Sequence, residues 1–208
     1  ILSLTAQIDA AQHKQADKHV LRSVYPKATA AVVKVEEDIR KNKTFETAVA
    51  YDDVGNMVLR KKGKRYSVSL TDKEIRLIKD KVLTHNHPGG WKNAAGTLGR
   101  IGNSFSRADV KTAISSDVAE IRAVTPLYTF SLRRPAGGWG MSEAQFIRAY
   151  NDLMQEHERR LFAMYRKAKS VGLGYMYAER INATVNHLFW KEFSKKYGFE
   201  YVKTKSAR

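Results

Sequence analysis

Two histidines one residue apart, in the stretch Thr84-His85-Asn86-His87-Pro88-Gly89-Gly90, constrain the folding of this 208-residue chain more than any other feature. Strand side chains alternate with period 2, so an extended segment points both imidazoles to one side. A helix would place the same two positions on different faces. The stretch therefore predicts a strand end that runs into a Pro-Gly-Gly loop. Two neutral imidazoles and one carboxylate, with a fourth position left to water, make the donor set of a catalytic zinc site. The chain has no cysteine, so any metal must be held by His, Asp or Glu.

Upstream, residues 1–41 read as helical. Ile1, Leu4, Ile8 and Ala11 recur at the spacing of one helix face. Pro26 interrupts, and Lys27 to Lys41 resumes with the acidic cluster Glu36-Glu37-Asp38. His13 and His19 lie six apart, too far for one face at i, i+4, and are not assigned as ligands. From Thr44 the period changes to two. Phe45 to Tyr51 predicts a strand, Asp52 to Asn56 a turn, and Met57 to Arg60 the second arm of a hairpin. Arg60-Lys61-Lys62-Gly63-Lys64-Arg65 reads as a basic turn and Tyr66 to Leu70 as a third strand.

Thr71-Asp72-Lys73-Glu74 has the form of a capping box and opens a short helix. Lys81 to Thr84 is the strand that delivers the histidines, and residues 89–105 form a long loop with Trp91 and Leu98 as its large apolar side chains. Ser106 is placed as an N-cap for a helix to about Ser116, with Asp109 in the first turn near the positive end of the helix dipole. Strands at Ile121 to Val124 and Tyr128 to Leu132 follow, then a Gly-rich break from Pro135 to Gly140. Long helices are expected at 142–170 and 177–197, then a closing strand at 199–202 and a frayed basic tail. His157 and His187 fall in aromatic-rich helical stretches and read as packed or hydrogen-bonded.

The 37 Lys and Arg outnumber the 21 Asp and Glu, for a net charge of +16. Such a surface attracts nucleic acid or other polyanions, and the bland alternative is solubility alone. Within it, Arg60, Lys61, Lys62, Lys64 and Arg65 are the candidate phosphate contacts, against a reading as a solvated loop. No apolar run approaches the roughly 20 residues of a membrane span, so no membrane partner is expected. The chain starts at Ile1, which suggests a fragment or processed piece of something longer.

Zinc chemistry needs a carboxylate outside the metal shell to move the water proton. Glu46 suits this role, because its strand neighbours Phe45 and Thr47 would face the other way. Taken in order, Glu46, His85-Asn86-His87-Pro88 and Ser106-Arg107-Ala108-Asp109 resemble the Glu…His-x-His-Pro…Ser-x-x-Asp signature of JAB/JAMM (MPN) metalloproteases. The His-Asn-His-Pro-Gly-Gly form is similar to the RadC-like branch. Residues 44–134 resemble the JAB-like domains of phage Mu F-type minor head (head morphogenesis) proteins.

The resemblance implies an α/β (α+β) core at 44–134, a curved mixed β-sheet flanked by helices. A helical lead-in at 1–43 and a helical extension at 135–208 lie outside it. It implies Zn2+ held by His85, His87 and Asp109 with water as fourth ligand, Glu46 as general acid/base, and Ser106 steadying the oxyanion. Asp109 follows His87 by 22 positions, longer than the family's usual spacing, so an insertion around Trp91 to Asn103 separates the ligands as a flap or marks a relaxed site. Two functions follow as expectations. One is a zinc-dependent peptidase or isopeptidase acting on a protein or peptide, in phage head maturation or as a toxin-like effector, in the bacterial host cytoplasm or the virion. The other is a non-catalytic phage-particle protein that uses its basic surface to contact DNA, capsid or portal. A nuclease toxin is favoured by charge alone. The letters His85-Asn86-His87 do not make an HNH nuclease, whose three residues are spread over a ββα unit.

Overall fold

The structure is a computed structural model that describes residues 20–91, 102–172 and 174–206. The helix expected at the start of the chain, with His13 and His19, lies outside the described residues, as does most of the insertion, including Leu98.

Six strands form one mixed sheet: β1 (Thr47–Tyr51), β2 (Met57–Lys62), β3 (Val82–Asn86), β4 (Glu120–Val124), β5 (Tyr128–Arg133) and β6 (Glu200–Lys205). Their order is β2-β1-β3-β4-β5-β6, with β3 and β4 parallel and every other neighbouring pair antiparallel. Parallel neighbours need a crossover, and that crossover carries the helix α3 described below. The helices are α1 (Thr29–Ile39), α2 (Asp72–Leu77), α3 (Arg107–Ser115), α4 (Glu143–Ser170) and α5 (Gly174–Tyr197). No helix of the described residues is long and apolar enough to cross a membrane.

Both faces of the central strands are covered, so β1, β3 and β4 are buried along their whole length. Alternation sorts their side chains. Ala48, Ala50, Leu83, Ile121, Ala123, Tyr128, Phe130 and Leu132 belong to the larger core, which Phe146 of α4 and Phe189, Trp190 and Phe193 of α5 complete. Val49, Tyr51, Val82 and Val124 turn the other way and pack with Val32, Val35 and Ile39 of α1. β6 and the α4–α5 pair therefore share a sheet and a core with residues 48–134. The β1–β2 turn is tied by Asp52, whose carboxylate accepts from the Val54 and Asn56 N–H groups. Gly55 sits there at φ +95°, and a Cβ would come within 3.2 Å of the Lys27 carbonyl, so only glycine fits.

The structure departs from the sequence reading in four places. Pro26 does not interrupt a helix; it opens a 3-10 turn at Pro26–Ala28 that feeds α1, where its fixed φ and missing N–H cost nothing. β2 continues to Lys62, so Arg60 and Lys61 lie in a strand rather than a turn. Tyr66 to Leu70 is not a strand. There the chain folds back, with Lys64 N–H donating to Ser67 O and Gly63 N–H to Glu46 O, and Val68 and Leu70 pack against the core without a ladder. Finally, the expected closing strand runs on past Val202 to Lys205: β6 pairs with β5 along its whole length, and Lys203 is buried over the Tyr128 ring at 4.1 Å.

Candidate metal centre

Register places the site. Ala48 of β1 stands opposite His85 of β3, so both side chains point to the same face of the sheet. Glu46, two residues before Ala48, falls on that face as well. Asn86, between the two histidines, points the opposite way and acts as a clamp. Its Oδ1 accepts from Thr47 N–H (2.7 Å) and its Nδ2 donates to Phe45 O (3.1 Å), which fixes the backbone on both sides of Glu46. The strand hands on to His87, whose N–H donates to Val124 O at 2.8 Å, and then to a 3-10 turn at Pro88–Trp91.

The third side chain arrives from α3. Ser106 is its N-cap: Ser106 Oγ accepts from Asp109 N–H (3.2 Å), and Asp109 Oδ2 accepts from Ser106 N–H (2.6 Å). This reciprocal cap holds the Asp109 carboxylate at the helix N-terminus with one face turned to the histidines.

His85, His87 and Asp109 each offer one ligand atom, and these atoms lie within 4.8 Å of one another. His85 Nε2 is 3.5 Å from Asp109 Oδ1, and His87 Nε2 is 3.6 Å from Asp109 Oδ2. Ligands held 2.0–2.2 Å from a tetrahedral zinc stand about 3.3–3.6 Å apart, so both His–Asp separations fit. The two Nε2 atoms are 2.8 Å apart, hydrogen-bonded, and must part by about half an ångström to share an ion. His87 Nδ1 lies 2.9 Å from Asn103 O. A carbonyl only accepts, so Nδ1 carries the proton there and Nε2 is the ring nitrogen turned to the cluster. Two imidazole nitrogens and a carboxylate oxygen, with no thiolate, form a donor set that could hold a divalent transition metal such as zinc.

The two carboxylates, Glu46 and Asp109, and the two imidazoles act on one another electrostatically. Burial works against an imidazolium at His87, but Asp109, with Glu46 behind it, pushes its pKa up to about 9. Burial likewise opposes the Asp109 carboxylate, yet the two imidazoles hold it well below the usual carboxylate range. Glu46 is shifted the other way: burial raises it, the two histidines partly offset this, and Asp109 adds to the rise. It is 8% exposed and lines a cleft of about 380 Å³, partly open to solvent, together with His85 and Asp109. Ala48, Leu83 and Ile121 line the cleft from the sheet, with Val68, Leu70 and Thr112 around them.

No family model, curated protein or solved structure matches the chain.

The structure thus brings Glu46, His85, His87, Ser106 and Asp109 to one end of the sheet. The basic candidates are less uniform. Arg60 pairs with Asp38 (3.0 Å) and Lys61 with Glu74 (2.5 Å), while Lys62 lies over the Phe45 ring (4.1 Å) and Arg65 over Tyr66 (5.5 Å). Among the described residues, Lys62, Lys64 and Arg65 have no acidic partner. His157 and His187 stand apart from the cluster, bonded to Glu192 and to the Tyr201 hydroxyl. Sequence reasoning missed Asn86 and Asn103, although an Asn between two inward histidines on a strand was itself a signal. It also missed a buried ion network under α1. There Arg122 bonds Glu36 through two nitrogens (2.6 and 3.0 Å) and Glu120 (2.8 Å), and Ser23 and Ser131 also bond Glu120.

Proposed function

We propose that this chain is a zinc-dependent hydrolase of the JAB/JAMM type, cleaving a peptide or isopeptide bond in a protein substrate. The observation that carries the reading is one cleft lined by Glu46 together with His85 and Asp109 of the His85-His87-Asp109 donor cluster. Bound zinc would supply a water of pKa about 7 and polarise the scissile carbonyl. The rest of the chemistry falls to the chain. Glu46 takes the proton as water oxygen bonds to the carbonyl carbon, and returns it to the nitrogen as the C–N bond breaks. A carboxyl raised by burial suits both halves of that transfer. Ser106 Oγ already accepts from Asp109 N–H, which leaves its own proton to donate to the oxyanion. Apolar Ala48, Leu83 and Ile121 limit water around the reacting bond. A place in phage head maturation, within the bacterial host or the virion, belongs to the same reading.

The test is metal content followed by cleavage. One zinc per chain is expected in the native protein and none in His85→Ala, measured by elemental analysis. Glu46→Gln should keep the zinc and lose chelator-sensitive cleavage of a peptide library. A native chain without zinc, or a Glu46→Gln chain that still cleaves, refutes it.

A second reading is favoured by Lys62, Lys64 and Arg65, cations without acidic partners among the described residues, and by the charge of +16. In it the chain is a particle protein whose basic surface holds DNA, capsid or portal. Its affinity for DNA should fall steeply between about 50 and 200 mM salt, and binding that ignores salt counts against it.

A further inference from the structure

We infer that Asn186, on α5 and far along the chain from the site, is a positioning residue for both His87 and Asp109. This rests on the metal reading above. The link is the short segment 103–106. At one end, Asn103 O receives the His87 Nδ1 proton at 2.9 Å and so sets which ring nitrogen faces the cluster. At the other end, Ser106 caps α3 and aims Asp109. Asn186 fastens everything between. Its Oδ1 accepts from Ser104 N–H (2.8 Å) and Ser104 Oγ (2.7 Å), and its Nδ2 donates to Phe105 O (3.1 Å).

Those bonds are well protected. Ser104 is 1% exposed and Phe105 is fully buried. Trp190, one turn further along α5, also donates to Phe105 O at 2.7 Å and meets the Phe105 ring edge-on. Both lone pairs of Asn186 Oδ1 are used, so a residue without that amide leaves a buried Ser104 N–H with no acceptor. The predicted cost is a shift of the Asn103 carbonyl away from His87. A carbonyl that orients a ligating histidine governs metal affinity by about 10–100-fold in general. Here the orienting carbonyl is itself held by a helix that the site's signature residues do not include.

The experiment uses the full chain and compares the native protein with Asn186→Ala, Asn186→Asp and Val185→Ala. Val185 lies next to Asn186 but packs with Ala168 and Ile181 in a separate small core, so its truncation loosens the helix without touching residues 103–106. Zinc dissociation constants are measured by competition with a chromophoric chelator. The His87 Nδ1 proton is followed by long-range 1H–15N NMR of the zinc-loaded chain. Asn186→Ala should bind zinc about 10–100-fold more weakly and lose the protected Nδ1–H signal. Asn186→Asp keeps the acceptor for Ser104 but turns a carboxylate oxygen toward Phe105 O, and should fall between. Val185→Ala should melt lower and bind zinc as the native chain does.

Native affinity in Asn186→Ala overturns the inference, as does an equal loss in Val185→Ala, which would make the effect one of helix stability. If Asn186→Ala does not fold, Asn186→Asp decides by the same two readouts. A native chain that binds no zinc overturns the metal reading, and this inference with it, in that arm alone.

Discussion

Replacing Arg122 with methionine removes the cation that two buried carboxylates share. Arg122 is fully buried, Glu120 is fully buried and Glu36 is 2% exposed, so water cannot take over for the lost guanidinium. Three charged hydrogen bonds of 2.6, 2.8 and 3.0 Å disappear together. Breaking a buried ion network by removing one partner costs about 3–5 kcal/mol. For a domain of this size each kcal/mol moves the melting temperature by about 2–4 °C, so Arg122→Met should melt roughly 6–20 °C lower at pH 7.5.

The pH dependence gives a second, independent sign. In the native chain burial raises Glu120, but Arg122, first among its partners, brings it below the usual range. It therefore contributes stability above its unfolded pKa, and loses it as pH falls. In Arg122→Met Glu120 keeps its burial and loses its first partner, so its folded pKa rises. Its protonated form is then favoured at low pH, and the deficit should be smaller at pH 5.5 than at pH 7.5. The triple variant Arg122→Met, Glu36→Gln, Glu120→Gln removes the stranded charges and should recover most of the loss. Thermal unfolding by circular dichroism measures all three. A single variant melting within about 2 °C of the native chain would refute the reasoning, because that is under about 1 kcal/mol.

Two further outcomes are expected. Burial, with Lys203 and Lys191 nearby, takes His187 down to about 3, so the unfolded chain binds a proton below about pH 6.5 that the folded chain refuses. Stability should therefore be full above pH 6.5 and fall by about 1.4 kcal/mol per unit below it, a slope that His187→Gln flattens; equal slopes in urea unfolding at pH 7 and 5 would contradict it. Ser106→Ala removes the acceptor for Asp109 N–H and should cost about 1 kcal/mol in urea unfolding while also weakening zinc binding; unchanged stability would show that the cap does not hold α3.

The strand and the helix start that carry the candidate cluster were legible because each depends on local rules. The His85-x-His87 spacing reports a strand whatever lies beside it, and Ser106-x-x-Asp109 reports a helix start. The elements that failed were those whose form depends on a distant neighbour. Tyr66 to Leu70 has strand-like composition, yet takes no ladder, since Lys64 and Ser67 close a turn there instead. The closing strand expected at 199–202 is found, but β5 offers its edge further and draws Lys203 to Lys205, read as tail, into β6. Arg122 sits in a strand of alternating Glu-Ile-Arg-Ala-Val, which by itself suits a solvated face. Only α1, folded across that face with Glu36, makes it a buried network.

What the amino-acid sequence determined alone was the periodicity of each segment and its caps and turns, such as the His85-x-His87 strand end and the Ser106-x-x-Asp109 helix start. These are short-range properties, settled by side-chain geometry over a few residues. Tertiary structure decided the rest: that Glu46, His85 and Asp109 line one cleft, that Asn86 clamps the backbone on both sides of Glu46, and that the far side of the sheet is ionic. Hydrogen bonds between residues some 40 to 100 positions apart leave no local trace in the chain, because their partners are chosen by the packing of whole elements.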